Sequence, residues 1–328
     1  MIEKTKSKIT YLLSAASVFL LVYVIYAIKG HMWPVYYIPY ERFYLFNLSP
    51  GFLYAILYTT LLVIFGIPAY RRWSKDPYQR WRYRSFFFFQ LVFFFIIPEI
   101  IFQFVLKDPD FRRTYQWVYA WPLSWNAFFD NPPKLYAIWG IILSFFVIPV
   151  FVRFHGVRYC SWICGCGALA ETLGDRWRHL APKGKRAQRL EWMGTPILVV
   201  AIIIAIGVLF RGPLFGVARR WYSWIVDIWL VGIIPMALYP FMGGKIWCRY
   251  WCPLSRAMHL LSKWYGKLKI AANNDCIQCG ACNKNCQVGV DVMGFAKEGK
   301  SFSNKETACI GCGICITVCP KDVLKFSR

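Results

Sequence analysis

Two runs near the C-terminal end decide the fold: Cys276-Ile-Gln-Cys279-Gly-Ala-Cys282-Asn-Lys-Asn-Cys286, and later Cys309-Ile-Gly-Cys312-Gly-Ile-Cys315-Ile-Thr-Val-Cys319-Pro320. Both space their cysteines as C-x2-C-x2-C-x3-C, and eight of the chain's 13 cysteines fall within the last 53 residues. Cysteines scattered through an apolar core would not be so regular. Disulfides suit small secreted chains, whereas regular C-x2-C spacing without secreted character reads as metal binding. A pair of structural zinc sites is the alternative, but those favour separated C-x2-C knuckles over four cysteines per run.

The spacing is that of bacterial two-cluster ferredoxins, in which three thiolates of each run hold one 4Fe-4S cluster and the fourth holds the other. Cluster one is therefore expected on Cys276, Cys279, Cys282 and Cys319. Cluster two is expected on Cys309, Cys312, Cys315 and Cys286. Small residues at Gly280, Gly311 and Gly313 let tight loops aim backbone amides at cluster sulfides. Gln287 stands where the first run usually has proline, which alters a turn and not a ligand. Residues 271–328 thus read as a small α+β two-cluster ferredoxin-like domain, which needs its metal to hold together.

Upstream the composition changes. The 328 residues are 58% hydrophobic and only 17% charged, and several apolar runs reach the roughly 20 residues that cross a bilayer as helix. Residues 1–270 are expected to form an α-helical membrane bundle of about six spans, near 9–28, 50–70, 85–106, 135–154, 192–211 and 221–241. The first follows Lys4, Lys6 and Lys8 in a signal-like layout, yet lacks a small-residue cleavage site and reads as a retained helix.

The net charge of +23 does not point to nucleic acid, because the positive residues lie in loops between spans and no recognition module accompanies them. There they suit lipid headgroups and set orientation. One alternate set of loops holds 17 Lys and Arg, the other 9. By the positive-inside rule the N-terminus lies in the cytoplasm, and six crossings bring the C-terminus back to it. The expected location is the inner (cytoplasmic) membrane. The outer loops are rich in headgroup-layer aromatics such as Trp33, Tyr36, Tyr119, Trp121 and Trp125.

Two more cysteine pairs repeat behind an Ile-Pro helix end: Cys160-Ser-Trp-Ile-Cys164 after Ile148-Pro149, and Cys248-Arg-Tyr-Trp-Cys252-Pro253 after Ile234-Pro235. On a helix, i and i+4 share a face, so each pair is expected to present its thiols together. The four could hold a third iron–sulfur cluster or act as a redox dithiol site, with Cys166 as a spare ligand. Inert burial is the bland alternative. An amphipathic segment follows each pair (Leu169, Leu173, Trp177, Leu180; then Leu254, Met258, Leu261, Trp264, Tyr265, Leu268). Both are expected to lie in the membrane interface.

Glu99 and Asp227 fall inside spans, where ionisable groups are costly. They are candidates for proton exchange with a quinone, against a simple reading as carboxylates neutralised by neighbours such as Arg219 and Arg220. His31, His155, His179 and His259 are all interfacial, so no b-type haem is expected between the helices.

Together these motifs resemble the polytopic membrane ferredoxins of the NapH and NosR kind, over most of the chain from about residue 85. Cys248-x3-Cys252-Pro253 matches that family's C-x3-C-P motif in full, whereas Gly165-Cys166 follows Cys164 in place of proline. The resemblance implies electron transfer between the quinone pool and partner redox subunits, or reducing power for the maturation of a metalloenzyme. A transporter or scaffold with structural clusters is the remaining alternative. With no flavin, nicotinamide or phosphate-binding loop evident, the chain reads as an electron-transfer subunit and not as a stand-alone enzyme.

Overall fold

A computed structural model describes residues 50–107, 117–125, 132–210 and 213–327. Among them, four helices are long and apolar enough to cross a membrane: α2 (Pro77–Val105), α3 (Lys134–Trp162), α5 (Lys185–Leu209) and α6 (Leu214–Met242). A further helix, α1 (Pro50–Trp73), occupies the place of the second expected span. The expected span at 9–28 lies outside the described residues.

Local chemistry sets the helix starts. Asp76 caps α2 by accepting from the Tyr78 N–H at 2.8 Å, and Pro77 occupies the first turn, where its missing N–H costs nothing. Beyond Leu91 the helix widens to i→i+5 bonding over Val92–Val105, around Pro98. The same widening recurs at Leu143–Val147 in α3 and Ser223–Ile233 in α6. Ile141, Phe145, Phe146, Ile203, Ile206 and Leu209 point outward and exposed, as lipid-facing residues of a membrane bundle must.

The helices that follow the cysteine pairs lie against this bundle. Helix α4 (Gly165–Thr172) packs on α1. Past it, Leu173 and Trp177 are buried beside Tyr239, with Phe65 and Met236 against them. Arg178, on the expected polar side of this segment, is also buried, in ion pairs with Glu171 and Asp175. This first segment is thus held by protein on both sides. After α7 (Ile246–Tyr250), helix α8 (Pro253–Tyr265) packs on α3 and α5 through buried Leu254 and Met258, leaving Trp264 82% exposed.

The chain then enters a three-stranded antiparallel sheet, ordered β2-β1-β3, of β1 (Lys269–Ala272), β2 (Phe302–Ser303) and β3 (Leu324–Ser327). Ile270 faces Phe302 on one side and Phe326 on the other. Between the strands lie the short helices α9 (Ala281–Asn285), α10 (Val292–Lys297) and α11 (Ile314–Thr317). One continuous buried cluster runs from Val152, Cys160 and Cys248 in the membrane unit to Ile310, Cys315 and Ile270 in the tail. The tail therefore sits on the bundle and shares its core.

Candidate iron–sulfur sites and their junction

The two tail loops are near-copies in backbone. Position three of each carries a positive φ (Gln278 55°, Gly311 62°), and position five repeats one conformation (Gly280 and Gly313, both φ 73°). A further positive φ follows each fourth cysteine at the same offset, at Gly289 and Asp322. These left-handed residues turn each loop tightly. One result is visible in the Gly311 N–H, which donates to Cys309 Sγ at 3.4 Å.

Three cysteines of the first run, Cys276, Cys279 and Cys282, line a single cavity together with Cys319 from the second run. Cys286 lies instead within electrostatic reach of Cys309, Cys312 and Cys315. Burial pushes the thiols of Cys282 and Cys309 up, to about 11 and about 12. No three His, Cys, Asp or Glu among the described residues converge on one ion; a cubane asks for thiolates spread around a four-iron core.

Around the upstream pairs the structure differs from a continuous helix. Cys160 sits in the last turn of α3, while Cys164 is the extended N-cap of α4. Likewise Cys248 lies in α7, and Cys252 is the extended N-cap of α8, its sulfur accepting from the Ser255 N–H at 3.3 Å. Pro253 explains the second break, since the residue before proline is pushed out of the helical region. The pairs converge all the same. Cys160 interacts with Cys248, with Cys164 and Cys252 in reach, and Cys164 interacts with Cys166. The Cys166 thiol, then the Gly167 N–H and the Lys245 charge, hold Cys164 down to about 7 against burial. The approach is close: a Cβ on Gly167 would collide with the Cys160 carbonyl.

The loops of tail and membrane unit meet directly. Ser161 Oγ, between Cys160 and Cys164, donates to the Ile310 carbonyl at 3.4 Å. Trp162 Nε1 donates to Tyr78 Oη at 3.1 Å, and that hydroxyl donates to the Gly311 carbonyl at 2.8 Å. The Arg158 guanidinium stacks over Phe326 at 4.0 Å and lies 5.2 Å from the Tyr78 and Trp162 rings. At the opposite end of the tail, Cys279 is exposed and Ile277 is 55% exposed. The Cys309 loop thus faces the bundle and the Cys276 loop faces away.

Beneath this junction lies a buried charge cluster that the sequence reading missed. Glu171 pairs with Arg82 at 2.8 Å, Arg178 at 2.7 Å and Lys245 at 3.3 Å. Burial alone would raise the Glu171 carboxyl, but these three cations hold it well below the usual carboxylate range. Lys245 also donates to the Cys160 and Gly167 carbonyls, at 3.1 and 3.0 Å. No spacing rule links residues 82, 171, 178 and 245; only charge in otherwise apolar surroundings could have drawn attention to them.

Of the intramembrane carboxylates, Asp227 lies in the widened stretch of α6 and accepts from Ser223 Oγ at 2.6 Å. The buried Tyr222 is within electrostatic reach of both Asp227 and Cys252. Glu99 is buried in the widened stretch of α2.

Residues 270–326 match the family of 4Fe-4S dicluster domains. The chain is 26% identical to the electron transport protein YccM of Escherichia coli, over 57% of this chain and 55% of that one. It is 24% identical to the ferredoxin-type protein NapH of Haemophilus influenzae, over 55% of this chain and 66% of that one. A methylamine utilization ferredoxin-type protein of Paracoccus denitrificans, MauN, is 26% identical over 49% of this chain and 58% of its own length. The alignments thus span a little over half to two thirds of these relatives. No solved structure matches the chain. The tail matches an iron–sulfur dicluster domain and follows a unit whose helices are long and apolar enough to cross a membrane, and the chain is similar to ferredoxin-type electron-transport proteins.

Proposed function

We propose that the chain is a membrane-bound relay of single electrons between the quinone pool, or a donor in the cytoplasm, and a partner redox subunit. Bound 4Fe-4S clusters supply one-electron chemistry. In this reading Cys276, Cys279, Cys282 and Cys319 hold one cluster, and Cys309, Cys312, Cys315 and Cys286 the other. Cys160, Cys164, Cys248 and Cys252 hold a third redox centre at the bundle's edge, with Cys166 poised beside Cys164.

The observation that carries the proposal is the contact of the Cys160–Cys164 loop with the Cys309–Cys312 loop through Ser161, Trp162 and Tyr78. It orders the sites: the upstream quartet, then the inner tail loop, then the outer loop with its exposed Cys279. A partner subunit would exchange electrons at that exposed end. Asp227, with Tyr222 in electrostatic reach of both it and Cys252, is the proposed proton group for a quinone, with Glu99 a second candidate. In the same reading the chain lies in the inner membrane with six crossings and both termini in the cytoplasm.

Protein purified without oxygen tests the reading. Two tail clusters alone give about eight irons per chain, and a third raises this toward twelve. Wild type is expected to exceed eight, and Cys248→Ser to fall back while both tail signals persist in the EPR spectrum. Quinol added to wild type in lipid discs should reduce the tail clusters, and Cys248→Ser should block that. An iron content of eight, together with full quinol reduction in Cys248→Ser, would remove the quartet from the relay.

A further inference from the structure

Gln287 departs from the usual proline after the first cysteine run, and the structure gives the departure a purpose. Its side chain is buried, 2% exposed, and Nε2 donates to Glu171 Oε2 at 2.8 Å. Glu171 is the carboxylate already gripped by Arg82, Arg178 and Lys245. A proline at 287 would have no side-chain donor to offer it.

Three arms of this hub end at different cysteine loops, while the fourth, Arg178, ends at Asp175. Gln287 directly follows Cys286. Lys245 reaches the Cys160 carbonyl at 3.1 Å. Arg82 Nε donates to Gln79 Oε1 at 2.7 Å, and Gln79 Nε2 donates to the Cys312 carbonyl at 3.0 Å. One buried carboxylate is therefore tied, through one or two side chains, to a loop of the quartet and to both halves of the inner tail set. Three fully buried cations face Glu171, and only one of them, Arg178, also pairs with a second buried carboxylate, Asp175. That leaves an excess of positive charge where anionic iron–thiolate groups are expected, and buried charge persists only where it is compensated.

We propose that Gln287 and Glu171 form a latch that seats the Cys286-bearing loop of the dicluster domain on the membrane unit, within the field of the buried arginines. Gln287 is a positioning residue: it holds Cys286 in register with Cys309, Cys312 and Cys315 and sets the charge that their iron site feels. The inference rests on the ligand set proposed above. It needs neither a quinone nor a partner.

The test uses the full chain in detergent, loaded with iron and sulfide without oxygen. Gln287→Leu keeps the side chain's bulk and removes the donor, whereas Gln287→Lys offers Glu171 an ammonium instead. Two readouts are taken: hydrogen exchange of the backbone amides of residues 286–290, and the midpoint potentials of the two tail clusters by EPR titration. The inner cluster's signal is assigned by its loss in Cys286→Ser. In Gln287→Leu, exchange should quicken at least tenfold. The inner cluster's oxidised-to-reduced ratio at fixed potential should change about tenfold, equivalent to about 59 mV for one electron, while the outer cluster stays put. Gln287→Lys should restore the exchange protection. Unchanged exchange and midpoint in Gln287→Leu, at wild-type iron content, would overturn the latch. Quinol reduction of wild type is scored separately, so failure of the relay reading leaves this result standing.

Discussion

The hydroxyl of Tyr78, in the first turn of α2, donates to the carbonyl of Gly311 in the inner cysteine loop, 233 residues later in the chain, at 2.8 Å. The same oxygen accepts from Trp162 Nε1 at 3.1 Å. One side chain therefore bridges a membrane helix, the Cys160–Cys164 loop and the dicluster domain. Tyr78→Phe keeps the ring against Phe326 and removes the bridge. It should cost about 1 kcal/mol, read as a lower melting temperature of the full chain with iron content unchanged. A wild-type melting curve would show the bridge to be dispensable.

Gly311 and Gln278 occupy equivalent loop positions with positive φ, yet their surroundings differ. A Cβ on Gly311 would lie 2.7 Å from Arg158 Cγ, while Gln278 is exposed on the outer loop. Gly311→Ala should cost about 1–3 kcal/mol through backbone strain and the displaced Arg158. It should also weaken retention of the inner cluster. Gln278→Gly relieves a left-handed non-glycine residue and should leave iron content and melting temperature near wild type. Equal losses in both variants would contradict this account.

Ligand crossover gives a prediction in which sequence neighbourhood and space disagree. Cys319→Ser should damage the cluster of Cys276, Cys279 and Cys282, because Cys319 lines their cavity. Cys286→Ser should damage the cluster of Cys309, Cys312 and Cys315. EPR spectra of the two variants, each losing the signal of the other run, are the expected result. Loss of each run's own signal instead would undo the pairing.

Glu171 should shape the response to acid. Its folded carboxyl is held well below the usual carboxylate range, so its contribution is fully present above the ordinary value of about 4.3 and is lost as pH falls from there toward the folded value. At neutral pH, Glu171→Gln leaves Arg82, Arg178 and Lys245 short of charge and should destabilise by about 3–5 kcal/mol. Melting temperatures of wild type and variant should lie far apart at pH 7 and draw together below about pH 4. A gap that stays constant with pH would mean that the carboxylate's charge is not what stabilises the cluster.

Orientation can be read with reporter fusions. Fusions after Arg328 and near residue 80 should report cytoplasm, and one near residue 120 the opposite side. A far-side signal from the C-terminus would reverse the proposed topology and the compartment of the dicluster domain.

Much of the site was written in spacing. C-x2-C-x2-C-x3-C is a local pattern, since tight loops around a cubane leave little freedom in how many residues separate the ligands. The apolar runs of α2, α3, α5 and α6 are equally local, because bilayer thickness dictates helix length. The recurrence of C-x3-C at Cys160 and Cys248 was legible for the same reason, although its geometry was not. Cys164 and Cys252 are N-caps beyond a helix break, and not members of one helical face.

What the sequence by itself determined is thus each loop's chemistry: which cysteines are ligand candidates, which segments suit lipid, and where the chain changes from bilayer to metal-held domain. Tertiary structure alone decided which loop faces which. Gln287 looked like a neutral substitution at a turn until it met Glu171, and Arg82 and Arg178 looked like loop charges until they were found buried, with Lys245, around one carboxylate. The physical reason is range. Ligand spacing and hydropathy act over a few residues, whereas burial and charge compensation depend on groups far apart in the chain and become defined only when packing brings them within about 3 Å.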